Sequence, residues 1–282
     1  MAEGSKDRVD EDDVCFEPGL FIDEEYESME FVFDEVVQPL LCSNAASTDF
    51  DLTGQVVWPI SIYVAWFVAR MKKLFAGKRV VELGAGCGLS GLVASQLSKT
   101  TVLTDGSEVI VRLLQQNAKA QIDGGLAAGG VEARKLVWGD REEMGSHLEE
   151  FGAPDIIIGA DVVCWPHFVY PFFQTVSALL RESSNSEAAL YLGYVCRATN
   201  TTELFYKTAK ELGFTIKTLD AEEFLPEFNT EARPENTLTN YKLQLLRLTL
   251  DRHSRGALVE EERWCNPSEK EYQAVSCQAA PC

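Results

Sequence analysis

Positive charge is what this chain has least of: 25 lysines and arginines face 44 aspartates and glutamates, a formal net charge of −19. So acidic a chain lacks the basic face that a phosphate backbone requires, which excludes nucleic acid as its main partner. Residues 1–30 hold twelve acids against Lys6 and Arg8, and so carry −10 of the −19. An acidic, solvated leader is therefore expected over residues 1–28. Long apolar runs are also missing. The most apolar stretch, Val56 through Ala69, contains Pro59 and is flanked by Gln55 and Arg70. It is too short to cross a bilayer and reads as a buried helix, so no membrane partner is expected. Paired metal-ligand spacing is absent as well: Cys164 and His167 are spaced C-x-x-H, but no second pair follows at zinc-site distance, and no metal is expected. Eight cysteines lie at irregular intervals with no cleavable leader ahead of them. They read as reduced thiols, with Cys87, Cys164 and Cys196 acting as small hydrophobes at strands or strand ends. A cytoplasmic or also nuclear monomer is the corresponding expectation.

What the chain does have is a core and a glycine turn. Hydrophobic residues make up 46% of the 282 positions, enough for one sizeable domain over 29–250 followed by a polar tail over 251–282. Val80-Val81-Glu82-Leu83-Gly84-Ala85-Gly86-Cys87-Gly88-Leu89-Ser90-Gly91 reads as a buried strand passing through glycines into a helix. Glycines there let backbone approach a ligand with no Cβ in the way, and the helix start offers unpaired N–H groups. Asp105 ends the next strand-like run, 21 residues beyond Gly84, about the offset at which a carboxylate accepts from ribose hydroxyls. The glycines run G-x-G-x-G rather than the G-x-G-x-x-G that suits a pyrophosphate, and Glu82 stands two residues ahead of them. Both features favour S-adenosylmethionine, which carries an amino acid and a sulfonium, over a dinucleotide.

Around this turn strands and helices alternate. Strands are expected at 80–83, 101–104, 134–137, 155–160, 188–195, 214–219 and 242–250, with helices at 60–75, 88–98, 107–121, 166–181 and 201–212. Alternation of this kind gives a doubly wound, Rossmann-like α/β fold with a seven-stranded, mostly parallel sheet. The helix-free last connection makes the final strand antiparallel. Phe31-Val32-Phe33 with Val36-Val37, joined by a second segment over Asp51–Val57, suggests a small N-terminal β extension. Ligands of such a sheet bind at strand C-terminal ends, where Trp138 offers an indole to an adenine, Asp140 an acceptor for its exocyclic amine, and Trp58 a second wall.

These motifs resemble the class I, seven-β-strand, non-SET protein lysine methyltransferases of the methyltransferase-like group, over roughly residues 50–250. Glu82–Leu89 is similar to that family's first motif, Leu103-Thr104-Asp105 to its ribose motif and Val137-Trp138-Gly139-Asp140 to its adenine-side motif. Val57-Trp58-Pro59 is similar to the opening of its first helix, and Gly159-Ala160-Asp161-Val162-Val163 to its fourth-strand motif. The resemblance implies cofactor contacts at Trp58, Gly84, Ala85, Gly86, Asp105, Trp138 and Ala160, beside the turn residues Glu82 and Gly88. It implies a catalytic Asp161 at the edge of the reacting centre, and a protein substrate bearing a lysine. The family places an aromatic three residues after that acid, whereas here Cys164 stands there and Trp165 follows one position late. Either Trp165 supplies the aromatic wall or the amine pocket is shaped differently. A small-molecule N-methyltransferase and a non-catalytic cofactor-binding module are therefore kept as alternatives. Tyr194 and Arg197, after the fifth strand, are expected at the substrate entrance.

Overall fold

The computed structural model describes residues 26–43, 50–225 and 243–251. The expectations for the leader before Tyr26, the polar loop after Leu225 and the tail beyond Asp251 lie outside the described residues. A two-stranded antiparallel hairpin comes first, β1 (Glu27–Phe33) and β2 (Val36–Cys42), with Phe33 opposite Val36. Asp34 makes its turn possible by taking a left-handed φ of 53°, a conformation aspartate tolerates better than most residues. Strand β1 starts at Glu27, inside the stretch expected to be leader, where it pairs with Cys42 of β2; its exposed first half carries no apolar alternation to announce it. The second segment of the extension is not Asp51–Val57. Phe50–Gln55 forms a 3-10 turn instead, since β2 finds its partner in β1 and Gly54 brings its backbone against Gly86.

The main sheet holds β3 (Arg79–Leu83), β4 (Thr100–Asp105), β5 (Gly130–Lys135), β6 (Ile156–Ala160), β7 (Ala189–Val195), β8 (Phe214–Leu219) and β9 (Leu243–Leu250), in the order β5-β4-β3-β6-β7-β9-β8. Strands β3 to β7 pair in parallel, and β9 runs antiparallel to both β7 and β8. Every residue of β7 is buried, as a strand covered on both faces requires. The helices are α1 (Pro59–Arg70), α2 (Lys72–Phe75), α3 (Leu89–Ser95), α4 (Glu108–Asp123), α5 (Arg141–Phe151), α6 (Pro166–Glu182) and α7 (Thr199–Glu211). Pro59 opens α1 with its φ already set for a helix. Helix α1 then lies so close on β7 that a Cβ at Gly193 would stand 2.6 Å from Val64 Cγ2 and 2.8 Å from Ile60 Cγ1.

Helix α5 is absent from the sequence expectation, because its polar face and Gly145 blur the helical period. Its local signal is the cap: Asp140 Oδ1 accepts from Glu142 N at 2.9 Å and Glu143 N at 3.0 Å, a Ser/Thr/Asp-type N-cap. Asp140, expected to meet an exocyclic amine, caps that helix start through its Oδ1. Sheet order reverses between β3 and β6, since the chain adds β4 and β5 on one side and the later strands on the other. A crevice at that switch, outside the carboxyl ends of the strands, is where such a sheet receives a ligand.

Candidate functional site

The crevice is built on the turn after β3. Gly84 has φ 63°, and a Cβ there would lie 2.8 Å from Val162 Cγ1 and 2.9 Å from Trp138 Cζ2. Glycine is required both for the left-handed conformation and for this approach. Gly86 has φ 55°, and a Cβ would stand 2.9 Å from the Gly54 carbonyl oxygen. The 3-10 turn therefore lies directly across the glycines. Ala85 N donates to Thr104 O at 2.9 Å, tying the turn to β4.

Asp105 ends β4 beside this turn. Its Oδ2 accepts from Gly86 N at 3.2 Å and its Oδ1 from Ser107 N at 3.0 Å. Burial raises its pKa, against the opposing pull of these N–H groups and of Gly106 N–H. A carboxylate offers about four acceptor positions, so Asp105 keeps capacity for a hydroxyl. Trp138 follows β5, held edge-on by Phe168 and Phe172 at ring-centre distances of 5.8 and 5.1 Å. Gly139 N donates to Thr175 Oγ1 at 2.9 Å, and that hydroxyl donates to Pro171 O, so α6 fixes the Trp138 backbone.

Two turn residues face elsewhere. Glu82 is buried, and its Oε2 accepts from Gly91 N at 2.9 Å. Burial pushes its pKa up to about 8, partly offset by hydrogen bonds from Gly91 and Ser90. Its carboxyl thus holds the start of α3 rather than lining the crevice. Gly88 likewise serves packing: a Cβ there would meet Leu114 Cδ2 at 2.8 Å, in the core between α3 and α4.

The opposite wall comes from the end of β6. Ala160 is half-buried there, and Asp161 follows with a φ of 60°, a left-handed conformation that aspartate, like Asp34 in the hairpin, adopts more readily than most residues. Asp161 N donates to Gly193 O at 3.1 Å. Its Oδ1 accepts from Arg197 Nε at 3.1 Å and its Oδ2 from Arg197 Nη2. Cys164 Sγ donates to Asp161 O at 2.9 Å, and burial raises its thiol pKa, keeping the donor protonated. The Arg197 guanidinium lies 5.3 Å above the Trp58 ring, and Trp58 Nε1 donates to Thr53 O at 2.9 Å.

These contacts close a ring. Gly84 meets Trp138 and Val162, Val162 follows Asp161, and Asp161 holds Arg197 over Trp58. Trp58 is bonded to Thr53 next to Gly54, and Gly54 meets Gly86, which is bonded to Asp105. Trp165 precedes α6 with 42% of its surface exposed. The aromatic face beside the Asp161 cation belongs to Trp58. Tyr194 does not line an entrance. It is buried, stacked on Phe205 at 4.8 Å, and donates to Thr202 Oγ1 at 2.8 Å. Sequence reasoning missed Gly54 and Val162. The signal for Gly54 was a glycine shortly before Trp58, and Val162 had none beyond its place after Asp161. A surface hollow of about 350 Å³ between α4 and β5, lined by Ile122, Val131 and Arg134 among others, contains no residue of this ring.

The residues fit a nucleoside carrying an amino acid: two glycines that admit close backbone approach, a carboxylate with spare acceptor capacity, and an indole across from them. Residues 44–211 match a family described as lysine methyltransferase. A calmodulin-lysine N-methyltransferase of Arabidopsis thaliana is 31% identical over 170 residues, covering 58% of this chain and 53% of that protein. The protein N-lysine methyltransferase METTL21A of Danio rerio is 33% identical over 163 residues, covering 52% of this chain and 72% of that protein. A histone-arginine methyltransferase METTL23 of Xenopus laevis is 28% identical over 207 residues, covering 72% of this chain and 82% of that protein. The chain thus spans about half the length of the first of these relatives and more of the other two.

Proposed function

The chain belongs to the lysine methyltransferase family, and from that membership we propose that it methylates a lysine side chain of another protein, with S-adenosylmethionine as cofactor. One observation carries the reading: Asp105, Gly84, Gly86 and Trp138 share a closed ring of contacts with Asp161. On this reading the donor site and the acceptor site share one crevice.

Asp105 would take ribose hydroxyls, Trp138 would offer its indole to the adenine, and the backbone of Gly84, Ala85 and Gly86 would receive the amino-acid part. Trp58 and Ala160 border the remaining sides. When bound, S-adenosylmethionine supplies a methyl group on a positively charged sulfur; a nitrogen lone pair takes the methyl while the electrons of the broken C–S bond stay with sulfur. What the protein contributes is alignment, the larger part of the rate in such a displacement. Asp161 draws the lysine ammonium to the crevice and orients it. A lysine with an ordinary pKa near ~10.4 must lose a proton before it reacts, and a crevice walled by Val162, Trp58 and Trp138 disfavours the charged form. The proton leaves to water by way of the Asp161 carboxylate.

The test is incubation with methyl-labelled cofactor and a cell extract, followed by amino-acid analysis of the labelled protein. Label in methyl-lysine, lost in Asp105→Ala, is the expected result. Label in methyl-arginine, or only in low-mass products, would move the acceptor to another class. Cofactor binding with no transfer would leave a binding module.

A further inference from the structure

Asp161 already holds a cation. Both of its carboxylate oxygens are engaged by the Arg197 guanidinium, which also sits 5.3 Å above the Trp58 ring. A carboxylate combined with an indole face is the environment that recognises a lysine ammonium. The Asp161 side chain is only 8% exposed, and its single negative charge does not accommodate a second cation. Resting on the reading of Asp161 as the amine-binding acid, we infer that Arg197 is a resident cation in the acceptor's place, and that the acceptor enters by ion-pair exchange. The incoming ammonium takes Asp161 and the Trp58 face, and the Arg197 guanidinium swings out.

The local fold suits such a movement. Arg197 follows the fully buried β7, and residues 196–200 are all exposed. The side chain can leave without disturbing the strand. Exchange also sets a requirement on the substrate. An arginine stays charged at any working pH and pairs best with a planar carboxylate. An acceptor that carries an aspartate or glutamate beside its lysine replaces the ion pair it breaks, whereas one without an acid leaves the guanidinium to water. The substrate class is therefore a lysine with a neighbouring acid. Cys164 Sγ reaches the Asp161 backbone carbonyl oxygen at 2.9 Å and its Oδ1 at 3.4 Å, and so stays beside the carboxylate while its cation changes.

Full-length wild type, Arg197→Ala, Arg197→Gln and the double variant Asp161→Asn with Arg197→Ala are titrated by calorimetry, first with S-adenosylhomocysteine and then with n-butylammonium chloride. Removal of the resident cation is expected to tighten n-butylammonium binding by about tenfold or more in both single variants. The double variant loses that gain, and all four proteins bind S-adenosylhomocysteine within about threefold of one another. No gain for n-butylammonium in folded Arg197→Ala and Arg197→Gln overturns the exchange. A loss of S-adenosylhomocysteine affinity by about tenfold or more in those variants overturns it too, by making Arg197 a cofactor ligand. Failure of the methyltransferase reading would show separately, as wild type that binds no S-adenosylhomocysteine. Mapping labelled lysines in an extract tests the substrate class: enrichment of a nearby acid with wild type, relaxed in Arg197→Gln, supports it, and no enrichment refutes it.

Discussion

Replacing Glu82 by glutamine probes the buried acid under the glycine turn. Gly91 N–H donates to Oε2 at 2.9 Å, and burial raises the native pKa from an ordinary 4.5 to about 8. Below that value the native side chain is a neutral acid, and glutamine is its closest uncharged stand-in, with an amide oxygen for the Gly91 N–H. The unfolded chain ionises near 4.5, so between 4.5 and about 8 the native state holds one proton more than the unfolded state. Stability is therefore full below 4.5 and falls as pH rises, by about 1.36 kcal/mol per pH unit, on the order of 5 kcal/mol across the interval. Wild type alone will not display this slope over the whole range. Burial lowers the His147 pKa from 6.5 to about 4, and that group makes stability rise with pH over the same lower window. The quantity to measure is the difference between Glu82→Gln and wild type, from urea unfolding at steps from about pH 4.5 to 9. It should grow in favour of the variant by on the order of 5 kcal/mol up to pH 8 and then stay level. A difference that does not change with pH would mean that Glu82 is ionised in the native protein, and the burial argument would fail.

His147→Leu should remove the opposite dependence: wild type loses on the order of 3 kcal/mol as pH falls from 6.5 to 4, because both ring nitrogens are buried without a partner, and the variant should not. Gly84→Ala forces a Cβ to within 2.8 Å of Val162 Cγ1 at a left-handed φ. A stability loss of about 2–5 kcal/mol is expected in chemical denaturation, with cofactor affinity reduced as Trp138 is displaced; an unchanged midpoint would refute the close approach. Asp105→Asn leaves one backbone N–H poorly paired and removes a charged acceptor, so S-adenosylhomocysteine affinity should fall about tenfold or more by calorimetry. Trp165→Ala should lower protein labelling if its indole meets the acceptor, with the fold checked by circular dichroism; unchanged labelling in the folded variant would remove Trp165 from the site.

The fold was legible where one rule acted alone. Continuous apolar runs at Ile156–Ala160 and Ala189–Val195 are what buried parallel strands require, and the missing last helix correctly gave an antiparallel β9. Elements were lost where the signal lay in polar residues. The cap Asp140 announced α5, yet it stood in a motif already read for its ligand chemistry. The first half of β1 is exposed and acidic, which in sequence looks like the leader before it. In the site, residue type was readable and direction was not. Glu82 and Gly88 flank the same turn as Gly84 and Gly86, yet Glu82 bonds to Gly91 N–H and Gly88 packs against Leu114 in the core. Arg197 was legible as a charge after β7, whereas its pairing with Asp161, 36 positions earlier, depends on β6 and β7 being neighbours.

Helix α1 rests on a strand that the ribosome makes long after it. Val64 and Gly193, which fit within van der Waals contact, are separated by about 130 residues, an interval of roughly 6–26 s at ordinary elongation rates. Through that time α1 can pack on α3, and Phe67 on Phe75, but the face of Ile60 and Val64 that meets Gly193 stays uncovered. Trp58 travels at the start of the same helix, so one wall of the crevice is synthesised among the first and docked among the last. Premature termination before β7 leaves that face of α1 exposed and the crevice unbuilt, even though every glycine of the turn has been made.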